Sequence, residues 1–253
     1  MVSVGIDIGS VATKVVVFDG EIVSTEILPT GWDPKKTAEE AVKNSMKKAG
    51  LKFEQVKKIV ATGYGRVSID FADKIVTEIS CHAKGAFYTD NNVRTVIDVG
   101  GQDSKIIALD EKGNVIDFVM NDKCAAGTGR FLQNMSVVLG MSLEEFSNLN
   151  KEKTSVKINS MCAVFAESEV ISLLAKGVAK NEVALALLQS ITEKIEVLVA
   201  RVGIRGKIAF TGGLSRNKLL VEMLSKKLNA EIVVFDHSQH MGALGAAIIG
   251  YGL

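Results

Sequence analysis

The chain carries one sequence pattern twice, 91 positions apart, and this repeat restricts its possible folds more than any other feature. The first copy, "GIDIGSVATKVVVFD", spans residues 5–19, and the second, "VIDVGGQDSKIIALD", spans residues 96–110. Each copy is a β-branched run, an Asp-x-Gly turn and a second alternating run, a pattern that predicts a β-hairpin. Superposed without gaps, the copies align Asp7 with Asp98, Gly9 with Gly100, Thr13 with Ser104, Lys14 with Lys105 and Asp19 with Asp110.

The turn of each predicted hairpin has the composition of a phosphate-binding loop. Glycine lets the backbone approach a ligand closely, so that N–H groups can face an anion. Asp7 and Asp98 lie at the mouths of the two turns, where a carboxylate can hold Mg²⁺ through water. One Asp-x-Gly turn would be weak evidence, but two in matched register are strong evidence for a duplicated phosphate-binding hairpin.

A second, weaker repeat follows each hairpin. "IVATGYGR" at residues 59–66 and "IAFTGGLSR" at 208–216 are both β runs that end in Thr-Gly, followed by a turn and a basic residue. Two ordinary strand-to-helix turns would produce the same pattern, and this alternative stays open for the second repeat alone. Together with the hairpins it predicts two related lobes, 1–92 and 93–253, with the final helix packing back on the first lobe.

The second half is longer than the first, and the additional residues contain two cysteines. The interval from the hairpin aspartate to the Thr-Gly turn is 55 positions in the first half and 113 in the second. Apolar residues at three- and four-residue spacing predict that the additional segment is helical. Cys124, in "NDKCAAGTGRF" (121–131), and Cys162, in "NSMCAVFAESE" (159–169), lie within it.

The charge balance and the cysteine pattern exclude several classes of protein. With 30 basic and 29 acidic residues the net charge is +1, which leaves no electrostatic footprint for nucleic acid. No apolar run is long enough to span a bilayer and the N-terminus shows no leader, so we expect a cytoplasmic protein. Three cysteines without a Cys-x-x-Cys pair argue against structural disulfides. The third, Cys81, is expected to be a small buried residue.

The order of these motifs resembles a known group of nucleotide-binding proteins. Two phosphate hairpins with a late Gly-Gly turn in "TGGLSR" resemble the actin/Hsp70/sugar-kinase class of ATPases, which implies a two-lobed α/β fold around a cleft. The closer resemblance, from Val4 to about Gly250, is to the BadF/BadG family, and within it to the activators, or component A, of 2-hydroxyacyl-CoA dehydratases. It is carried, in this order, by "GIDIGSVATK", "ATGYGR", "VIDVGGQDSK", "NDKCAAGTGRF", "CAVFAESEVISLLAKG" and "TGGLSRN".

This resemblance implies an activity, cofactors and partners. It implies an ATPase of anaerobic metabolism that forms a homodimer with one [4Fe–4S] cluster at the subunit interface. ATP hydrolysis would drive the transfer of one electron to a partner dehydratase or to a related double-cubane cluster protein. The electron would come from an upstream donor such as ferredoxin or flavodoxin.

The two cysteines of the longer half fit a shared cluster. A [4Fe–4S] cluster normally needs four thiolates, and a two-fold axis doubles Cys124 and Cys162 into four. Each cysteine precedes a predicted helix, whose dipole and free N–H groups favour the negative charge of the cluster. The segment after Cys124 could also serve the nucleotide, with Gly127, Thr128 and Gly129 facing the cleft.

The resemblance further implies a role for each residue of the first phosphate loop. Asp7 would organise Mg²⁺ and water, and Lys14 would neutralise charge that develops during hydrolysis. The loop residues that would bind the β- and γ-phosphates of ATP are Ser10, Val11, Ala12, Thr13 and Lys14.

The second half would complete the nucleotide site. Its phosphate loop would comprise Gly100, Gly101 and Gln102, and either Asp98 or Gln102 would orient the attacking water. The residues expected near adenosine are Gly212 and Gly213, which let the chain lie against it, and Gln239, which would contact the base or the ribose.

Two other functions stay open from the sequence. A small-molecule kinase is the main alternative, because sugar and pantothenate kinases share the two hairpins. Against it, no aspartate in an acceptor-site motif occurs outside the hairpins, and the additional residues bring paired cysteines instead. A regulatory nucleotide sensor would bind ATP but carry no iron.

Overall fold

The structure, a computed structural model, describes residues 1–121, 127–149, 154–158 and 163–253, with the backbone alone at 163 and 164. Within these ranges the chain forms two five-stranded mixed sheets and eight α-helices. None of the helices described there is long and apolar enough to cross a membrane.

The first sheet contains the first hairpin. Its strands lie in the order β3-β2-β1-β4-β5, with β1 and β2 antiparallel and β4 parallel to β1. Helix α1 (Pro34–Ala49) covers it; the helix begins where Asp33 Oδ1 accepts from the Lys36 N–H and ends at Gly50 in the left-handed region. The strands are β1 (Val2–Ile8), β2 (Ala12–Phe18), β3 (Ile22–Pro29), β4 (Val56–Thr62) and β5 (Lys74–Ile75).

The second sheet repeats this arrangement. Its strands lie in the equivalent order, β8-β7-β6-β9-β10, with β6 and β7 antiparallel and β9 parallel to β6. The predicted hairpins are therefore confirmed, and both halves use the same strand order. The strands are β6 (Val93–Val99), β7 (Ser104–Leu109), β8 (Val115–Asn121), β9 (Lys207–Gly212) and β10 (Ile232–Val233).

The register of the strands repeats as well. Asp7 pairs with Lys14 across the first hairpin, and Asp98 pairs with Lys105 across the second. On the other side, each aspartate has the threonine of a Thr-Gly turn as its neighbour, Thr62 on β4 or Thr211 on β9. The weaker repeat in the sequence thus corresponds to equivalent positions in the two sheets.

Helices occupy the additional segment of the second half, as the apolar spacing predicts. Between β8 and β9 lie four helices, whereas α1 alone lies between β3 and β4 among the α-helices described. They pack with the second sheet and with α7 (Lys218–Leu228) around the largest apolar core, to which α6 contributes the most residues. The four are α3 (Gly129–Leu139), α4 (Leu143–Ser147), α5 (Ala163–Ala175) and α6 (Lys180–Val202).

Two helices lie between the sheets and join them. Helix α8 (Met241–Tyr251) packs on β1 so closely that a Cβ at Gly5 would overlap the Ala243 carbonyl oxygen. Helix α2 (Glu78–Thr89) packs on α8 and on β6. One apolar cluster joins both helices to both sheets. The final helix therefore packs on the first sheet, and the expected lobe boundary between residues 92 and 93 stays a prediction.

Candidate nucleotide site

The turns of the two hairpins face each other across a cleft with a volume of about 220 Å³. Both turns close in the same way, since Gly9 N–H donates to the Ala12 carbonyl at 3.1 Å and Gly100 N–H donates to the Asp103 carbonyl at 3.0 Å. Thirteen of the residues expected at the nucleotide site line this cleft: Asp7, Ser10, Val11, Ala12, Lys14, Asp98, Gly100, Gly101, Gln102, Gly129, Gly212, Gly213 and Gln239.

Glycines are needed where the walls of the cleft approach each other. A Cβ at Gly101 would lie 2.5 Å from Val11 Cγ2, so a side chain there would collide with the opposite turn. The second turn is anchored by α3, because the Gly129 N–H donates to the Gly100 carbonyl at 2.9 Å. At Gly213, by contrast, a Cβ would meet no atom within 4 Å, which marks open space on that wall.

The first aspartate–lysine pair lies at the surface of the cleft. Lys14 Nζ donates to Asp7 Oδ2 at 3.1 Å, and 16% of the Lys14 side chain is exposed. A Cβ at Gly9 would lie 3.1 Å from the same nitrogen, so the ammonium group sits directly over the first turn. Its charge is therefore available to a phosphate bound between the turns.

The second pair is buried, although it occupies the same register. Only 2% of the Lys105 side chain is exposed, and its ammonium group contacts three carboxylates. The distances are 2.7 Å to Asp103, 2.9 Å to Glu78 and 3.3 Å to Asp98. Burial opposes the charge of Lys105, but these carboxylates outweigh it and raise the pKa. Lys105 therefore neutralises acidic groups below the cleft and does not reach into it.

The Asp98 carboxylate is held from several sides. Asp98 Oδ2 accepts a hydrogen bond from Lys105, and Oδ1 accepts one from the Thr211 hydroxyl at 2.9 Å. His82 Nδ1 lies 3.4 Å from the same Oδ1. Burial would raise the pKa of Asp98, but the neighbouring His82 imidazole, the Lys105 ammonium group and the Thr211 hydrogen bond outweigh it and hold the pKa at about 2. Asp98 is therefore ionised and has a fixed orientation.

Gln102 differs from Asp98 in its surroundings. It lines the same cleft, but its side chain is exposed. Of the two residues expected to orient the attacking water, Gln102 is thus the one with freedom to adjust to a ligand, and Asp98 is the one that is already held.

The cleft residues missed from the sequence include three that bring a carboxylate or an imidazole. Glu78 and His82 come from α2, and Asp103 follows the second turn; all three line the cleft. The spacing of four positions between Glu78 and His82 is a signal that could have placed both on one helix face. Nothing in the sequence indicates that this face meets the second hairpin.

Three of the expected residues lie behind the cleft wall. The Thr13 side chain is fully buried, and its hydroxyl lies 3.0 Å from that of Thr30. The Gly127 carbonyl accepts from Ser104 at 3.1 Å, and the buried Thr128 precedes the first residue of α3. None of the three lines the cleft, and their expected role in nucleotide binding stays a prediction.

One of the three cysteines, Cys81, lies among the residues that the structure describes. Cys124 and Cys162, the predicted cluster ligands, lie outside the described residues. Cys81 is fully buried on α2, and burial raises the pKa of its thiol to about 12. The expectation that Cys81 is a small buried residue is confirmed.

Comparison with known proteins gives a consistent family and fold. The model of the "BadF/BadG/BcrA/BcrD ATPase family" matches residues 4–250. The chain is 42% identical to the activator of lactoyl-CoA dehydratase of Anaerotignum propionicum, over 99% of this chain and 98% of the relative.

Two solved structures of dehydratase activators are similar to this chain over its whole length. Component A of the Acidaminococcus fermentans (R)-2-hydroxyglutaryl-CoA dehydratase is 39% identical with a TM-score of 0.94, covering 100% of this chain and 98% of that one. The activator of the 2-hydroxyisocaproyl-CoA dehydratase from Clostridium difficile, with bound ADPNP, is 39% identical with a TM-score of 0.92, covering 100% and 95%.

A more distant structure is similar in fold alone. A ROK family glucokinase from Streptomyces griseus, in complex with glucose and AMPPNP, is 13% identical with a TM-score of 0.60, covering 100% of both chains. The expected actin/Hsp70/sugar-kinase-like two-lobed fold with duplicated hairpins is confirmed.

Proposed function

The chain belongs to the BadF/BadG/BcrA/BcrD ATPase family, and from this premise we propose that it is an ATP-hydrolysing iron–sulfur protein that activates a 2-hydroxyacyl-CoA dehydratase. Activation would occur by ATP-driven transfer of one electron to the dehydratase or to a related double-cubane cluster protein. The observation that carries this proposal is the identity of 42%, over nearly the full length, to a protein named as such an activator.

The cleft has the chemistry that ATP requires. Glycines at both turns leave room for phosphates, and Lys14 presents its charge over the first turn. Gly212 and Gly213 provide the open wall on which adenosine would lie, with Gln239 beside it. In this proposal the two turns close on the β- and γ-phosphates, and Gln102 or Asp98 orients the water that attacks.

Asp7 has the surroundings expected of a residue that would hold Mg²⁺. Its carboxylate pairs with Lys14, and it makes no second ion pair within the part of the chain that the structure describes. The other carboxylates at the cleft floor, those of Glu78, Asp98 and Asp103, share Lys105. Mg²⁺ prefers carboxylate oxygens and water, and would neutralise phosphate charge at this position.

Cys124 and Cys162 would hold one [4Fe–4S] cluster between two subunits, and this cluster would supply the low-potential electron. Helix α5 begins at Ala163, directly after Cys162 in the sequence, and α3 begins at Gly129, five positions after Cys124. The helix starts would stabilise the negative charge of the cluster through their free N–H groups. Because Gly129 also bonds the second phosphate turn, α3 gives a direct connection between the cleft and this segment.

Exposed apolar side chains on the same two helices support a homodimer. Val137 on α3 is 78% exposed and Phe165 on α5 is 68% exposed. Both lie on helices that follow the predicted ligands, where a second subunit would cover them. The electron would reach the dimer from a donor such as ferredoxin or flavodoxin.

The iron content of the protein tests this proposal. Purified without oxygen, the dimer should be brown, contain about four iron atoms and reduce a 2-hydroxyacyl-CoA dehydratase only with ATP. Cys124→Ser and Cys162→Ser should each lose the cluster, because the two-fold axis removes two thiolates at once. Cys81→Ser is the matched control and should keep it. ATP binding should persist in all three variants.

A small-molecule kinase would give different results in the same experiment. It would be colourless, it would transfer phosphate to an added sugar, and no cysteine variant would change its spectrum. An iron cluster that survives in Cys162→Ser, or that is lost only in Cys81→Ser, would contradict the assignment of the ligands.

A further inference from the structure

His82 lies where the two hairpins meet. It stands on α2 four positions after Glu78, so both side chains project from one helix face into the cleft. Its imidazole is only 5% exposed, and its Nδ1 lies 3.4 Å from Asp98 Oδ1 in the second half of the chain. A buried polar ring in such a place needs partners for both nitrogens.

The hydrogen bonds of Thr211 determine which nitrogen of His82 carries a proton. Thr211 Oγ1 donates its single proton to Asp98 Oδ1 at 2.9 Å. The same hydroxyl lies 3.0 Å from His82 Nδ1, so it accepts there and Nδ1 donates. Two consecutive hydrogen bonds therefore run from His82 through Thr211 to Asp98.

The second nitrogen of His82 lies next to Gly242, near the start of α8. A Cβ at Gly242 would lie 2.9 Å from His82 Nε2 and 3.2 Å from Asp7 Oδ2. The imidazole and the Asp7 carboxylate therefore both lie next to the same glycine near the start of α8. His82 Nδ1 is therefore directed to Asp98, and Nε2 lies in the neighbourhood of Asp7.

We propose that His82 is a positioning residue for ATP hydrolysis, which keeps Asp98 in one orientation through Thr211. This inference rests on the proposed ATPase function. His82 acts on the reaction through Asp98 and does not itself need to touch the nucleotide. Without the donor at Nδ1, the Thr211 hydroxyl can turn to the Ile97 carbonyl, 3.5 Å away, and Asp98 loses a hydrogen bond.

Helix α2 is suited to hold such a residue. It connects the last strand of the first half to the first strand of the second. It also packs on α8 so closely that a Cβ at Gly85 would lie 2.5 Å from the Met241 carbonyl oxygen. The position of His82 therefore depends on both halves at once, and movement of one half against the other changes its contact with an aspartate.

Two conservative variants separate the two nitrogens of His82. The amide nitrogen of Asn lies near the position of imidazole Nδ1, whereas that of Gln reaches the position of Nε2. We expect His82→Asn to keep kcat for ATP hydrolysis within about threefold, and His82→Gln to lose about tenfold or more. KM for ATP should change by less than about twofold in both, because the phosphate turns are intact.

Thr211 gives an independent test of the same connection. Thr211→Ser, which keeps the hydroxyl, should retain kcat, and Thr211→Val should lose as much as His82→Gln. Combining Thr211→Val with His82→Gln should add no further loss, since both break one chain of hydrogen bonds. If His82→Gln fails to fold, the comparison of Ser with Val at position 211 decides the question.

Cys81→Ala is the matched control, because it changes a buried neighbour on the same helix and should keep the wild-type kcat. Equal kcat in His82→Asn and His82→Gln, equal kcat in Thr211→Ser and Thr211→Val, or a rise in KM in place of a fall in kcat would overturn the inference. A wild-type protein that does not hydrolyse ATP would overturn the proposed function instead.

Discussion

Lys14 and Lys105 occupy equivalent positions in the repeat, but their surroundings give them different roles. Lys14 pairs with one carboxylate and lies partly exposed over the first turn. Lys105 is buried among three carboxylates that would otherwise repel one another. The first lysine is therefore placed for a ligand, and the second stabilises the site beneath it.

Replacing each lysine by methionine should separate these roles. Lys14→Met should reduce ATP hydrolysis about a hundredfold or more, because it removes a charge aimed at the phosphates, with little change in thermal stability. Lys105→Met should cost about 3–5 kcal/mol of unfolding free energy, since buried carboxylates lose their counter-charge. ATPase assays and thermal unfolding measure both effects. Similar melting temperatures for the two variants would contradict the assignment.

His240 should make stability depend on pH. It is partly buried near Lys14, and burial, together with the charges of His237 and Lys14, lowers its pKa to about 4. In the unfolded chain a histidine titrates near pH 6.5, so between these values the unfolded state binds more protons. Stability should therefore fall as the pH decreases from about 6.5 to 4, by on the order of 2 kcal/mol.

His240→Gln tests this pH dependence. The urea midpoint of the wild type should fall between pH 7 and pH 5, and that of His240→Gln should fall less over the same interval. The same decrease in both proteins would show that other groups cause it.

At the scale of elements, the contact between α2 and α8 holds the site together. A Cβ at Gly245 would overlap the Cys81 carbonyl oxygen, so the two helix backbones touch without a side chain between them. This contact positions the α2 face that carries Glu78 and His82. The close packing of α2 on α8 therefore determines where these two side chains lie in the cleft.

Gly245→Ala should separate the two helices. We expect a loss of about 1–3 kcal/mol or more from overpacking, seen as a melting temperature lower by about 5 °C or more. Gly252→Ala is the matched control near the end of α8, because a Cβ there would meet its nearest atom at 3.8 Å. Calorimetry measures the melting temperatures of both variants. Equal values for Gly245→Ala and Gly252→Ala would contradict a close contact between α2 and α8.

At the scale of the whole molecule, the two halves are not independent units. Helix α8, from the end of the chain, covers β1 at its beginning, and a single apolar cluster extends from Val16 to Ala247. The cleft lies at the boundary of the two sheets, so binding there would draw on both halves.

The fragment 1–92 should therefore not fold by itself. Without α8, one face of its sheet would expose the apolar residues that this helix covers. Circular dichroism of the isolated fragment should show no cooperative thermal transition, whereas the full chain should unfold cooperatively. A fragment with a sharp transition would show instead that the first lobe is self-sufficient.

Much of the fold and of the cleft could be predicted from the sequence, because the information is local and repeated. Alternating apolar residues and Asp-x-Gly turns predict the hairpins, and the 91-residue repeat predicts that the two turns are equivalent. Most residues of the expected phosphate loops line the cleft for this reason. Thr13 does not, since the pairing of β2 with its neighbours turns its side chain inward.

By itself, the sequence determined the two hairpins, their register and the residues of the two turns. Only the tertiary structure decided that α2 brings Glu78 and His82 to the second hairpin and that Lys105 is buried. These contacts join segments far apart in the chain, such as His82 and Thr211 at a separation of 129 residues. Their geometry follows from how α2 packs on α8 and β6, and no local pattern encodes the angle between elements that meet only when the core forms.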